Sequence, residues 1–157
     1  MALLAIISTG SIGLMVGHFI DKPPALPKNM VEAMLPTKVY FPTKIPSGYK
    51  LDASSSVIDA GQLFYSFKGS LNSAGTITVS EQALPPNFGT KALSALKNIP
   101  STLTAIGTVY KLNTENENEI RYMVTTNDNV LIFIVSPNKN ASTDIFNMAN
   151  HLKRYKP

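Results

Sequence analysis

The residues best suited to catalysis are few and scattered in this sequence. It contains two histidines, His18 and His151, and no cysteine. Nucleophilic catalysis needs a nucleophile with a base within reach, but His18 lies in an apolar run and His151 lies alone in a segment with helical periodicity. The absence of cysteine excludes a thiol enzyme, a disulfide scaffold and a cysteine-ligated metal site. We therefore expect no enzymatic activity and assign no catalytic residue.

Three glutamates alternate with asparagine in a short polar segment, at positions Glu115, Glu117 and Glu119. Such a segment attracts cations weakly, but it lacks the D-x-D-x-D-G spacing of a calcium loop. A solvated turn is the simpler interpretation, and we assign no metal ligand. The sequence also lacks the glycine-rich motifs that bind nucleotide phosphates, so we expect no cofactor.

The chain carries a net charge of +4 and has a sequence pI of about 9.3. Its basic residues are scattered, except for Lys153, Arg154 and Lys156 near the end. No nucleic-acid-binding motif accompanies them, so we expect no nucleic-acid partner. A mild positive charge close to a membrane favours contact with anionic lipid head groups or cell-wall polymers. We therefore name these three residues as candidates for contact with an anionic surface.

Residues 1–20 contain no Asp, Glu, Lys or Arg and are mostly apolar. A helix of ~20 apolar residues spans the ~30 Å hydrocarbon core of a bilayer. The alternatives are a signal peptide, which would have a basic start and a cleavage site of small residues, and a buried core helix. We predict a retained, single transmembrane helix. It is the only tether open to this chain, because a lipid anchor would require a cysteine.

Two features of the sequence bear on the orientation of this helix across the membrane, and they point in opposite directions. Lys22 and Lys28 follow the span, which by the positive-inside rule would place the rest of the chain in the cytoplasm. Long domains are, however, translocated largely regardless of their charge, and we predict an extracytoplasmic domain. Within the span, Gly13 and Gly17 form a G-x-x-x-G spacing that lets two helices approach closely. They are our candidates for association of two copies of the chain.

Residues 21–37 contain four prolines, which prevent the preceding helix from continuing and keep the chain extended. We interpret this segment as a juxtamembrane linker. Residues 38–157 then form one domain in which apolar and polar residues mostly alternate, as in Leu63, Tyr65 and Phe67. Residues 130–135 are continuously apolar, which is typical of a central strand covered on both faces. The pattern predicts about seven antiparallel strands.

Two segments of this domain change to helical spacing. Thr90 could cap a short helix that presents Ala92, Leu93 and Leu96 on one face. Near the end, Ser142 or Thr143 could cap a second helix, with apolar residues at i, i+3, i+4 and i+7 and a basic C-terminus. We predict an α+β fold with both helices on one face of the sheet. The apolar positions of the second helix are Ile145, Met148, Ala149 and Leu152.

The segment from 41 to 49, FPTKIPSGY, reads as a turn into a strand: Pro46 fixes φ, Gly48 permits a positive φ, and Tyr49 starts the strand. A strand with Leu63 and Tyr65, the strand ending ITVSEQ, the strand VLIFIV and a final amphipathic helix follow in order. This arrangement resembles an uncharacterised bacterial domain family on the outer side of membrane-anchored proteins, including anti-sigma-factor-like regulators and lipoproteins. The resemblance spans about residues 38 to 155. It implies an extracytoplasmic domain and no known catalytic residue.

We therefore expect a non-enzymatic, single-pass membrane protein whose domain binds a protein or another component of the cell envelope, as a sensor, regulator or assembly component. One alternative is a carrier that holds a lipid or another apolar ligand against its curved sheet. Another alternative is a pilin-like structural subunit, because such subunits also join an apolar N-terminal helix to a sheet domain. Pilin subunits usually have Glu at the fifth helix position, where this chain has Ala5.

Overall fold

The computed structural model describes residues 25–70 and 75–156. The predicted transmembrane helix over residues 1–20, with Gly13 and Gly17, lies outside the described residues. No helix in the described ranges is both long enough and apolar enough to cross a membrane. The elements in chain order are α1 (Lys28–Ala33), β1 (Tyr40–Pro42), β2 (Tyr49–Asp59), β3 (Gln62–Gly69), β4 (Thr76–Ala83), α2 (Phe88–Leu96), β5 (Ser101–Thr104), β6 (Gly107–Leu112), β7 (Ile120–Thr126), β8 (Val130–Ser136), a 3₁₀ turn (Lys139–Ala141), α3 (Ser142–Asn150) and β9 (Leu152–Arg154).

Seven of these strands form one antiparallel sheet in the order β2-β3-β4-β8-β7-β6-β5. The predicted α+β class with about seven antiparallel strands is confirmed at this level. The continuously apolar strand β8 is central in the sheet, between β4 and β7, as its composition predicted. Alternation of side chains then gives the sheet two faces, and on one of them Leu63, Tyr65 and Phe67 are fully buried.

The larger core lies on that face and is covered by α3 and by a second, smaller sheet. Ile145, Met148 and Ala149 of α3 are buried there, as the helical spacing predicted. The smaller sheet consists of β1 and β9, which pair antiparallel with Tyr40 opposite Arg154. The last helix ends at Asn150, so Leu152 is a buried strand residue and not the next helical position. Pairing with β1 overrides the helical periodicity at this point.

The other face of the sheet carries α2, which corrects the prediction that both helices share one face. Leu96 of α2 packs with Met123 and Leu131, whose neighbours in sequence, Tyr122 and Ile132, belong to the larger core. Successive residues of a strand point to opposite faces. A central strand that is apolar on both sides needs cover on both sides, and helices lie on both: α1 and α3 on one face and α2 on the other.

The predicted helix caps also differ from the structure. Thr90 lies inside α2, which begins at Phe88. Asn87, the residue before the helix, makes no side-chain capping bond. Ser142 is the first residue of α3, and the residue before it, Ala141, has no side chain able to cap. The chain enters each helix through a preceding turn, so neither helix needs the predicted cap.

The predicted turn into β2 is confirmed. The Tyr49 N–H donates to the Pro46 carbonyl at 3.1 Å, and Gly48 has φ +80°, which is the positive angle such a turn requires. The tight connection before β8 closes with a bond from the Asn129 N–H to the Thr126 carbonyl at 3.1 Å. The tip of this turn carries Asp128, which contacts strand β1.

Residues 25–37, which lie in the predicted linker, pack against the domain. Leu26, Val31 and Met34 are buried in the larger core. The Tyr155 hydroxyl donates to the Leu26 carbonyl at 3.3 Å, so this segment also lies against the residues that follow β9. The folded unit therefore begins well before residue 38, and α1 is part of it.

Candidate functional site

A carboxyl group is completely buried in the larger core. Glu81 lies on β4 and alternates with Ile77 and Val79, so the strand geometry directs its side chain to the same buried face. Its Oε2 accepts the Tyr40 N–H at 2.8 Å, and the Tyr65 hydroxyl lies 2.9 Å from its Oε1. The Tyr65 hydroxyl also lies 3.1 Å from the Tyr40 carbonyl oxygen. These three residues form a closed hydrogen-bonded ring, which we call the Glu81 ring.

The number of protons in this ring indicates a neutral carboxyl group. The Tyr65 hydroxyl has a single proton. If Glu81 is ionised, Tyr65 can donate that proton to the carboxylate or to the Tyr40 carbonyl, but not fully to both. A protonated Glu81 donates to the Tyr65 oxygen, and the Tyr65 hydroxyl then donates to the Tyr40 carbonyl. Every polar atom of the ring is satisfied in that state.

Burial acts in the same direction. It raises the pKa of Glu81 to about 8, and the bonds from the Tyr40 N–H and the Tyr65 hydroxyl offset only part of this effect. Burial, followed by the nearby Glu81, raises the pKa of Tyr65 well above its usual value. The raised pKa and the proton count of the ring both favour the protonated, neutral form of Glu81.

A second group of contacts continues from Tyr40 towards the surface. The Tyr40 hydroxyl donates to Asp128 Oδ2 at 2.7 Å, and Lys38 Nζ donates to Asp128 Oδ1 at 2.6 Å. The bonds from Lys38 and Tyr40 hold the pKa of Asp128 below its usual value. Burial and the bond to Asp128 raise the pKa of Tyr40 to about 12. Glu81 therefore holds strand β1 through the backbone of Tyr40, and Asp128 holds it through the Tyr40 side chain.

The Glu81 ring has no direct access to solvent, because Glu81 and Tyr65 are essentially fully buried. A substrate cannot reach a carboxyl group in that position without opening of β1. We therefore assign Glu81 a positioning role: it fixes Tyr40 and with it the residues on either side.

One of those neighbours, Val39, lines a cleft of about 290 Å³ between α1 and the small sheet. Apolar side chains, including Val31 and Val39, form part of its wall. Arg154 and Lys156 are exposed at this cleft, and neither has a carboxylate within 4 Å in the described part of the chain. We call it the basic cleft, and its lining residues are Val31, Glu32, Leu35, Pro36, Thr37, Lys38, Val39, Arg154, Tyr155 and Lys156.

The buried ring and the basic cleft are connected through β1. Tyr40 pairs with Arg154 across the small sheet, and the Tyr155 N–H donates to the Val39 carbonyl at 2.8 Å. Lys38 both lines the cleft and binds Asp128. The contacts that position Arg154 and Lys38 therefore lead through Tyr40 back to Glu81.

Of the three basic residues named from the sequence, the structure brings two to this site. Arg154 and Lys156 line the basic cleft, whereas Lys153 is exposed opposite Phe41 and does not line it. Lys38 joins them from the other side, over a separation of more than 100 positions. The sequence could not reveal this because the pairing of β1 with β9 is non-local.

Sequence reasoning also missed Glu81, although a signal was present. The alternation of Ile77, Val79 and Glu81 places a carboxyl group at an inward position of an otherwise apolar strand face. Such a position requires either hydrogen-bond partners or protonation. The structure supplies both.

The remaining candidates from the sequence lie elsewhere. His151 follows α3 and its Nδ1 lies 2.7 Å from the Asn147 carbonyl oxygen, which gives it a local partner. Glu119 forms an ion pair with Arg121 at 2.7 Å, while Glu115 and Glu117 are exposed in the loop before β7. Over the described residues, no three His, Asp or Glu side chains converge in a way that could hold a metal ion.

Comparisons of the chain with protein-family models, with curated proteins and with solved structures find no match. The resemblance based on Pro46, Gly48 and Tyr49 therefore stays a prediction, and the proposals below are based on the geometry of the basic cleft.

Proposed function

We propose that this chain is a non-enzymatic, single-pass membrane protein whose domain lies outside the cytoplasm and binds a component of the cell envelope through the basic cleft. The observation that carries the proposal is the cleft itself. Arg154 and Lys156 present two cations beside an apolar wall, and neither forms an ion pair within 4 Å with a carboxylate in the described ranges. Cationic groups next to apolar surface suit an anionic partner that also has an apolar part.

The structural design of the site supports binding over catalysis. The titratable groups that are held most precisely, Glu81 and Tyr65, are closed off from solvent. The groups that solvent reaches, Arg154 and Lys156, are cations that provide electrostatic attraction. The proposed role is therefore that of a sensor, regulator or assembly component.

The membrane tether and the outward orientation rest on the sequence. The uncharged run of residues 1–20 is the reason for the tether, and the resemblance carried by Pro46, Gly48 and Tyr49 is the reason for the outward orientation. Association of two copies through Gly13 and Gly17 is also a prediction from the sequence alone. The alternative of a carrier receives no support from the geometry, because α1, α3 and the small sheet already pack on the buried face of the large sheet.

Protease added to intact cells tests the topology. We expect the domain to be digested in intact cells and the membrane-embedded remainder to be left. A domain that is protected in intact cells and cut only after lysis would overturn the proposed orientation.

A photo-crosslinking amino acid at Leu35, beside the cleft, tests the binding role in living cells. We expect adducts that weaken when Arg154 and Lys156 are both changed to glutamine. The matched control changes Lys97 and Lys111, which are exposed but line other parts of the surface. Equal adducts in both double variants would contradict binding through the basic cleft.

A further inference from the structure

Three features of the domain occur on the same face. The first is the pair of cations at the basic cleft, Arg154 and Lys156. The second is Leu35, which lines the same cleft and is 71% exposed. The third is the entry of the chain, because α1 forms one wall of the cleft and is the first element among the described residues. These features differ in kind, and their occurrence on one face suggests a common function.

The local charge balance at this face is positive. Glu32 is paired with Lys28 at 3.5 Å, and Asp128 is paired with Lys38 at 2.6 Å. These two pairs cancel, although Asp128 also acts electrostatically on Arg154, and the cations that remain are Arg154, at the end of β9, and Lys156, two positions later. The net attraction of the cleft is therefore for an anion.

The length of chain before α1 limits how far this face lies from the predicted span. Leu26 is buried in the larger core and is six positions after Ile20, the last residue of the apolar run. An extended chain covers at most ~3.5 Å per residue, so the two positions are separated by no more than ~20 Å. The face that bears Leu26 and α1 is consequently held close to the bilayer surface whenever the span is inserted.

We propose that the basic cleft binds the phosphate head groups of anionic phospholipids of the membrane that anchors the chain, with Leu35 inserted between the lipids. This inference rests on the proposed function and specifies the envelope component. Docking in this way orients the domain with α1 and β9 towards the bilayer and the edge strand β5 free of it.

The chemistry of the side chains favours this ligand. The Arg154 guanidinium offers a planar set of donors that matches a phosphate, and Lys156 adds a flexible cation beside it. An exposed leucine next to cations is the arrangement by which interfacial segments bury apolar side chains at the head-group boundary. The cleft volume of about 290 Å³ suits a head group better than an element of a folded partner.

The test uses the full chain in nanodiscs, and it is simplified by the absence of cysteine. A single-cysteine variant, Leu35→Cys, carries an environment-sensitive fluorophore, and lipids brominated in their acyl chains quench it on contact. A second variant, Leu103→Cys, carries the same label on β5, where the native side chain is 82% exposed. Both are measured in phosphatidylcholine alone and in an equal mixture with phosphatidylglycerol.

We expect strong quenching at position 35 in the anionic bilayer, little in the neutral bilayer, and little at position 103 in either. Added salt should reverse the effect because it screens the attraction. Replacing Arg154 and Lys156 with glutamine should lower the ratio of docked to undocked domain by ~25-fold, about fivefold for each charge near an anionic surface. The same replacements at Lys97 and Lys111, which change the net charge equally, should leave it unchanged.

Other outcomes overturn the inference in distinguishable ways. Equal quenching in neutral and anionic bilayers, or quenching at position 103 instead of 35, excludes the proposed docking. Loss of quenching on addition of inorganic phosphate, at the phosphorus concentration of the anionic lipid, would show a site for free phosphate instead. A protein adduct at Leu35 in cells, without quenching in nanodiscs, would favour a protein ligand and leave the proposed function intact. Loss of the chain from membranes on a carbonate wash would instead contradict the tether.

Discussion

The Glu81 carboxyl group accepts the backbone N–H of Tyr40 at 2.8 Å, across 41 positions of sequence, and so ties the small sheet to the large one. Strand β1 has only three residues, and its partner β9 is equally short. Two such strands would not hold together alone in water. The buried carboxyl group is therefore one of the contacts that allow the small sheet, and the basic cleft beside it, to exist.

The first prediction concerns the pH dependence of stability. The pKa of Glu81 rises from 4.5 to about 8 on folding, so the folded state binds the extra proton and is favoured at low pH. The free energy of unfolding should fall by about 1.4 kcal/mol per pH unit from about pH 5 to pH 8, and this contribution should level off above that range. Urea unfolding of the full chain in non-ionic detergent, followed by circular dichroism at several pH values, measures it.

Glu81→Gln is the matched variant for that measurement. A glutamine amide can donate to the Tyr65 oxygen and accept the Tyr40 N–H, as the neutral carboxyl group does. We expect this variant to fold and to lack the slope between pH 5 and 8. The same slope in both proteins would contradict the assignment of Glu81 as the group that titrates.

The second prediction concerns the ring hydroxyl. Tyr65→Phe keeps the aromatic packing but removes the bond to Glu81 and the contact with the Tyr40 carbonyl. We expect a loss of about 2 kcal/mol in the free energy of unfolding, because buried polar groups then lack a partner. Tyr110→Phe is the control, since Tyr110 is half-buried and outside the ring. A loss no larger than that of the control would show that the ring contributes little.

The elements most readily predicted from the sequence were those with strong local patterns. The alternation in β3 and β4, the apolar run of β8 and the buried face of α3 are all encoded over fewer than ten residues. Position Leu152 shows the limit of such reasoning, because it fits both the helical spacing of α3 and a strand. Only the pairing of β9 with β1, more than 100 positions away, decides between them, and no local pattern contains that information.

The candidate site was predictable to a smaller extent. The basic character of Arg154 and Lys156 is visible in the sequence, but their common position with Lys38 depends on the small sheet. The placement of α2 on the opposite face could have been inferred from β8 itself, because a strand that is apolar on both sides needs cover on both. Glu81 could have been identified by its inward register, although its partners could not.

The third prediction concerns the outer contact of β1. Asp128→Asn removes the charge that Lys38 and the Tyr40 hydroxyl bind. Because these bonds lower the pKa of Asp128, their stabilisation is present above its usual pKa and is lost as pH falls through the lowered value. At neutral pH we expect faster hydrogen exchange of the Tyr155 N–H, which is bonded to Val39. Nuclear magnetic resonance measures this amide directly.

Two comparisons keep that experiment specific. Tyr40→Phe removes the hydroxyl bond to Asp128 but retains the backbone bond to Glu81, so it should give an intermediate increase in exchange. Asp59→Asn removes an acidic side chain at the end of β2, away from the small sheet, and should give none. Unchanged exchange in Asp128→Asn would show that Glu81 alone suffices to hold β1.

The last prediction concerns two glycines with different surroundings. Gly107 has φ +149°, and a Cβ at this position would overlap the Thr125 carbonyl oxygen and lie 2.8 Å from the Thr126 Cα. Gly61 has φ +77°, but a Cβ there would meet nothing within 4 Å. Gly61→Ala should therefore cost about 1 kcal/mol, which is the strain of a positive φ alone. Gly107→Ala should cost several times more, because backbone atoms of β7 would have to move. Thermal unfolding in detergent compares the stability of the two variants. Similar losses of stability would mean that the backbone of the β6–β7 pair adjusts at Gly107 at little cost.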